Sequence, residues 1–348
     1  MGRIDFGRKY LQLKGPVKLR LDVRSMVVTA IVLAAVLAIA LFALMVGTLK
    51  LSAPEVFSAL FGELTGIKRT VVMEWRLPRI LAAIVFGAGL AISGSIFQSI
   101  TRNPLGSPDI LGFTSGSYTG ALIVMLVFKS MSFSTIAMGA LIGGFATALV
   151  IYLFAFRQGT QGFRLIIVGI AISTILGSVN SMLLLQSQSE VALTAGAWGV
   201  GSLNGITWEH TLPAILAVCV LIIFAMGMNR PLREMELGRD VAKSHGVRFE
   251  GSQLLLLVIA VAITASATAI MGPITFVALA APQIAIRFTK TSESLAPSAA
   301  VGAFILLSAD VLAQRMIPGM ILPVGVLTLS VGGLYLVWLL FRQARSTA

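Results

Sequence analysis

Two arginines three residues apart, Arg76 and Arg79 in Glu74-Trp-Arg76-Leu-Pro78-Arg79, stand directly before an apolar run that opens at Ile80. Their chemistry is recognition rather than reaction. A planar guanidinium engages a carboxylate through two parallel N–H donors. Spacing three sets both on one face of a helix. Pro78 suits a first turn, where its missing N–H costs nothing. Three readings stay open: an acidic partner outside the chain, lipid headgroups, or a local pair with Glu74.

Groups that could react are scarce. The sequence holds no GxxxxGK[ST] phosphate loop, no HExxH and no Cys/His cluster. Its 2 histidines and 1 cysteine offer no metal set and no intrachain disulfide. Asp310 is the clearest acid inside an apolar run, and Asp109 lies at the inner end of another. An ionisable group at bilayer depth counts as functional by default. For Asp310 a structural role, pairing with Arg315 or capping a helix, weighs against substrate or ion binding. No catalysis, metal site or cofactor is expected.

Composition sets the solvent around these residues. Of 348 residues, 57% are hydrophobic and 11% charged, against roughly 25% charged in soluble domains. Mean hydropathy is +0.95. The chain reads as an integral membrane protein. Its net charge of +12 comes from basic residues flanking apolar runs, which argues against nucleic-acid binding. Apolar segments fall at 26–46, 78–100, 110–128, 133–155, 164–186, 211–228, 253–271, 274–289, 298–316 and 323–341. About 20 apolar residues span a bilayer, so ten transmembrane helices are expected, the third and eighth short or broken by Gly and Pro. The first is too long for a signal-peptide core and lacks a small-residue cleavage site, which predicts a retained helix behind a basic leader, 1–25. A single transmembrane domain would cover 26–342, with a tail at 343–348.

Orientation follows from charge. With the N-terminus inside, 19 of the 26 Lys and Arg fall in cytoplasmic segments and 7 outside, which predicts cytoplasmic N- and C-termini. Arg76 and Arg79 then lie outside, against that bias. His210 and His245 fall on opposite sides. Small-residue stripes (Gly87/Ala91/Ser95, Gly112/Gly116/Gly120, Gly139/Gly143) predict close helix packing in lipid.

The stretch from Arg76-Leu-Pro78-Arg79 through Gly87, Gly89, Gly94 and Gln98 to Asn103-Pro-Leu105-Gly-Ser-Pro108 and Gly112 resembles the FecCD-type permease family. These are the membrane subunits of ABC importers for iron–siderophore complexes, haem and cobalamin. Gly272-Pro-Ile-Thr-Phe276 and Leu322-Pro323-Val-Gly325 are similar too, and Thr194 to Trp208 resembles the ferric-siderophore, catecholate branch. The resemblance runs from about residue 30 to 342. It implies an all-α, type II ABC importer architecture. It also implies two cytoplasmic ABC ATPase subunits, a second permease subunit (the same chain or a related one), an external siderophore-binding protein and a ferric siderophore as cargo.

The resemblance further implies site roles. Arg76 and Arg79 would meet acids of the binding protein; a third family arginine falls at Gln314 here, with Arg315 beside it. The loop 229–252 carries the Leu-Gly-xxx-Ala-xxx-Gly-Val pattern of the ATPase-coupling helices, as Leu237, Gly238, Ala242, Gly246 and Val247, with His245 where the family has Leu. A short helix is expected from Asp240 to Gly246. Asn103 and Leu105, with Gly162 and Phe163, would form a cytoplasmic gate. The family's Pro-His pair is Pro282-Gln283 here. An ion-coupled secondary carrier and a membrane scaffold are the other readings weighed. The first predicts paired midplane acids and an internal repeat, and the second leaves the polar 229–252 loop unexplained.

Overall fold

The computed structural model describes residues 10–13, 19–155, 162–291, 295–317 and 319–347. A two-stranded antiparallel ribbon, β1 (Tyr10–Leu13) and β2 (Leu19–Asp22), precedes the first helix. Asp22 then N-caps α1 (Val23–Met45), its carboxylate accepting from the Arg24 amide. The excursion to the second span holds α2 (Ala53–Leu60), opened by a capping box between Ser52 and Glu55, and a single turn, α3 (Ile67–Thr70). α3 continues through a π-helical turn, Val71–Arg76, into α4 (Leu77–Thr101). The expected helix start at Pro78 is thus the start of its α-helical part only. Proline cannot donate an i→i−4 bond, and the wide turn upstream, closed by Leu77 N–H to Val72 O, absorbs the mismatch.

Next come α5 (Phe113–Leu122), prolonged by a second π turn to Val127, then α6 (Phe133–Ala155), α7 (Gly162–Leu185), α8 (Ser189–Trp198) and α9 (Trp208–Gly227). Two short helices, α10 (Asn229–Glu236) and α11 (Arg239–Ser244), lead into α12 (Phe249–Met271), α13 (Val277–Thr289), α14 (Leu295–Ala313) and α15 (Val324–Thr347). Among the described residues, seven helices are long and apolar enough to cross a membrane, and three shorter apolar helices begin at Phe113, Val277 and Val324. Together they coincide with the ten expected spans. α15 runs on to Thr347, through most of the expected tail. The ribbon, α2, α3, α8 and α10 were not foreseen.

The third and eighth spans are the short ones, and the structure shows why. Residues 102–112 are non-helical, punctuated by Pro104, Pro108 and Gly112 at φ 87°. This segment climbs between helices: Gly112 packs against Ser173, which lies about 16 Å along α7 at 1.5 Å per residue. Leu111 packs on Gly169. Irregular backbone at this depth is sheltered by protein, as a bilayer requires. On the eighth, Gly272 at φ 72° and Pro273 end α12, and α13 begins only after Phe276.

α4 is the centre of the bundle, buried along most of its length and flanked by α9, α12, α13 and α14. It can be central because it is small-sided. A Cβ on Gly87 would sit 2.6 Å from the Gly302 carbonyl of α14, and Ala91 meets the same glycine. The Gly116 and Gly120 face of α5 fits Gly143 and Gly139 of α6 in the same manner. The third member of that stripe, Gly112, turns to α7 instead. Gly87→Ala forces α4 and α14 apart and lowers stability by roughly 1–3 kcal/mol. Gly177→Ala on α7, with open space around it, changes stability by under about 0.5 kcal/mol. Thermal unfolding of both variants in detergent checks the contrast.

Candidate functional site

The three arginines gather where α1, α4 and α14 meet, at the end of the bundle shared by Met45, Leu77 and Ala313. Arg76 donates from Nη1 to Leu44 O and from Nη2 to Leu49 O, both at 2.6 Å. Arg315 donates from Nη2 to Val46 O at 2.7 Å and from Nη1 to Val311 O at 3.1 Å, and lies 5.0 Å over the Phe42 ring. The last carbonyls of a helix lack intrahelical partners and sit at the negative end of its dipole, so the two cations clamp the end of α1 to α4 and α14. Arg76 turns to these carbonyls rather than to Glu74.

Arg79 takes Asp310 in a fork: Nε reaches Oδ1 at 3.1 Å and Oδ2 at 2.9 Å, and Nη2 reaches Oδ1 at 2.7 Å. Gln314 Nε2 donates to Oδ2 at 2.8 Å. The Asp310 side chain is 1% exposed and that of Arg79 15%. Of the expected pairings, the one with Arg315 is not made; the partner of Asp310 is Arg79. Nearby, Trp208 Nε1 donates to Met73 O at 2.6 Å, tying α9 to the π turn. In the connection after α1, the ammonium of Lys68 and the Ser52 groups hold the Glu55 carboxyl down at about 2.

The second deep acid joins two interrupted helices. Asp109 Oδ1 accepts from Thr114 Oγ1 at 2.8 Å, in the first turn of α5. Its Oδ2 accepts from the Phe276 amide at 3.3 Å, at the entry to α13. Phe276 holds φ 69°, rare for a bulky residue, and packs against Gly332 of α15.

At the opposite end of the bundle, α10 and α11 meet at a turn set by Gly238, φ 115°. α11 spans Arg239–Ser244, one residue earlier than expected at its start. Leu237, 62% exposed, Val241 and His245 lie on the open side. Ala242 is fully buried. Its small size therefore serves the chain's own packing, and it offers no surface to a partner. Arg239 and Lys243 both hold Glu250, at 2.6 and 2.7 Å. His245 Nδ1 lies 2.6 Å from Glu234 Oε2. Gly246, at φ 80°, ends the helix.

One tie at this end was missed from sequence. Ser99 Oγ, near the end of α4, donates to Glu236 Oε1 of α10 at 2.9 Å. Burial pushes the Glu236 carboxyl above its ordinary value. The two residues are 137 positions apart, and no local pattern announces such a pair. Just beyond Ser99 lies the expected gate. Asn103 Oδ1 accepts the Leu105 amide at 2.9 Å, and Leu105 is exposed. A Cβ on Gly162 would fall 2.6 Å from Thr101 Cα, and Phe163 is exposed beside it. The structure thus adjoins 101–105 and 162–163. A cavity between them is lined by Thr101, Arg102, Gly162, Phe163, Met235 and Gln253. Higher on α4, Gln98 Nε2 donates to Leu279 O, and its Oε1 accepts from Gln283 Nε2 at 2.7 Å.

Among the described residues a multi-pass bundle surrounds one buried helix, with arginines gathered at one end and a polar helical elbow at the other. The FecCD transport family model matches residues 33–342. The chain belongs to the FecCD transport family. It is 44% identical over 324 residues to the ferric enterobactin transport system permease protein FepG of Escherichia coli, covering 92% of this chain and 98% of that one. It is 30% identical over 328 residues to the iron(3+)-hydroxamate import system permease protein FhuG of Bacillus subtilis, with 92% and 98% covered. A solved structure described as an inward-facing conformation of a metal-chelate type ABC transporter superposes with TM-score 0.80 at 26% identity, covering 91% of this chain and 99% of that one.

Asp310→Asn leaves Arg79 without its counter-ion in a water-poor site and costs about 3 kcal/mol or more. Pairing it with Arg79→Gln recovers part of the loss. A double-mutant cycle on unfolding midpoints measures the coupling, and additive losses would remove the pair from this role.

Proposed function

We infer that this chain is the membrane-spanning permease subunit of an ABC importer that carries a ferric siderophore, of the catecholate type, across the cytoplasmic membrane. The observation that carries the reading is likeness along nearly the whole chain to the ferric enterobactin permease protein; the arginine cluster, the α10–α11 elbow and the contact of 101–105 with 162–163 support it. The energy would come from two cytoplasmic ABC ATPases seated on α10 and α11. An external siderophore-binding protein would dock on the rim. A second permease subunit, identical or related, would complete the pathway. The termini and the elbow would be cytoplasmic, as the charge bias supports.

Docking at Arg76, Arg79 and Arg315 is supported by their shared end of the bundle. All three already bond within the chain, yet a guanidinium that spends two donors keeps others for an acidic partner. On the ATPase side, Leu237, Val241 and His245 form the open surface of the elbow, with Gly238 and Gly246 setting its bends. Ala242 braces it from within. A push on α10 reaches α4 through Glu236 and Ser99, and α4 leads straight into Asn103 and Leu105. Differential affinity of the ATPases for two states of this linkage would switch the gate.

The secondary-carrier reading needs free acids in a relay. Asp310 is committed to Arg79, and Asp109 to Thr114 and Phe276.

Proteoliposomes separate the readings. Uptake of a ferric catecholate should require the ATPase, the binding protein and hydrolysable ATP together. Uptake driven by an ion gradient without ATPase would overturn the proposal. Leu237→Asp should weaken ATPase binding by ~1–2 kcal/mol, about tenfold, while binding-protein affinity stays unchanged. Arg76→Glu should do the reverse.

A further inference from the structure

A cavity of about 280 Å³ lies between α5, α6, α7 and α12 and belongs to neither rim nor elbow. Every side chain that lines it, Tyr152 apart, is a plain hydrocarbon. Its floor is Phe113, Ile151 and Leu165, all buried. Its mouth opens sideways, between Phe145 and Leu149 of α6 and Leu254 and Val258 of α12, each at least 41% exposed. Left empty, such walls forgo dispersion contacts on one side.

Two observations say what fills the cleft. The first is depth. The lining runs from Phe145 to Tyr152 on α6 and from Leu254 to Val261 on α12, about 10 Å on each helix at 1.5 Å per residue. Both stretches reach from mid-helix toward the elbow end, where α6 stops at Ala155 and α12 starts at Phe249. A bilayer's hydrocarbon core is about 30 Å thick, so the cleft occupies much of one leaflet's acyl depth and its mouth faces acyl chains.

The second is charge. Arg164 directly precedes Leu165, and Arg248 directly precedes α12. Their neighbours Phe163 and Phe249 line one cavity, so the two arginines leave the bundle at the same end, close to the cleft. Both are exposed. Glu250, two residues beyond Arg248, is already held by Arg239 and Lys243. Basic positions between membrane helices at such an end take anionic headgroups.

We propose that this cleft is a binding site for one anionic phospholipid, an acyl chain lying between α6 and α12 and the phosphate held by Arg164 and Arg248. Acyl burial supplies the affinity, and the guanidiniums select a charged headgroup. The acyl chain packs against Leu165, in the first turn of α7 and two residues beyond Phe163. The proposal rests on the membrane-spanning reading of these helices and not on the identity of cargo or ATPase.

Native mass spectrometry of the full chain in detergent, titrated with phosphatidylglycerol, counts the lipid retained. Arg164→Gln with Arg248→Gln removes the charge. Val258→Trp plugs the mouth at an exposed position, and Leu37→Trp, on the exposed face of α1, controls for added bulk. Circular dichroism and the thermal midpoint check that each variant folds. Wild type and Leu37→Trp should retain one phosphatidylglycerol under conditions where either cleft variant retains several-fold less. Wild type should hold phosphatidylcholine several-fold more weakly, and the arginine variant should lose that preference. Glycerol 3-phosphate, which carries the phosphate without acyl chains, should not displace the lipid. Equal retention in every variant would overturn the proposal, and displacement by glycerol 3-phosphate would make this a site for free phosphate instead. A chain dimer that Val258→Trp dissociates would sink it too, because a second copy would then cover the mouth. No transport is read, so failure of the importer reading leaves the result intact.

Discussion

Close approach of backbones around α4 is the constraint on which the rest depends. In lipid no hydrophobic force drives helices together, so packing density and polar contacts must. α4 supplies both. Its glycines let α14 and α13 come within backbone contact, and Gly94 faces the Ala278 carbonyl as Gly87 faces Gly302. Its buried hydroxyls bond across helices, as Ser93 does to Ala260 O and Thr264. The rim arginines, the deep acid and the Asn103–Leu105 segment are all attached to this one helix or to its immediate continuation.

That attachment gives the two ends a common part. At one end Arg76, just before α4, holds the Leu44 carbonyl of α1 and the Leu49 carbonyl beyond it, and Arg79 on α4 holds the carboxylate of α14. At the other, Ser99 meets Glu236 and the chain turns into the 102–112 climb. Rigid elements with bonded ends transmit displacement better than apolar contacts, which can slide. The bonds at both ends of α4 are charge-assisted or made to a carboxylate, the stronger class of hydrogen bond.

Sequence was most legible where one physical rule dominates. Hydrocarbon thickness fixes span length, and most of the ten spans emerged within a few residues of their expected bounds, Phe133–Ala155 at both ends, while the second extends upstream to Ile67 and the last runs on to Thr347. Gly and Pro marked the third and eighth as irregular. Phase inside a helix was harder: the π turn at Val71–Arg76 shifts everything upstream of α4, and no residue pattern announces it. Pairing across distance was least legible. Asp310 stands near Arg315 in sequence, but the fold brings Arg79 to it from 231 positions away. Ala242 was placed in the coupling segment by the family pattern, and that pattern does not say whether the residue faces a partner or the chain's own interior. The leader showed only its charge; its strand register came from the structure.

The amide pair between α4 and α13 has a further consequence. Gln98 and Gln283 hold one another with groups that neither gain nor lose a proton at physiological acidity. A histidine at such a seam would make helix contact follow the acidity of its surroundings. Here the Gln98–Gln283 bond carries no titratable group, so it does not itself respond as a cell acidifies.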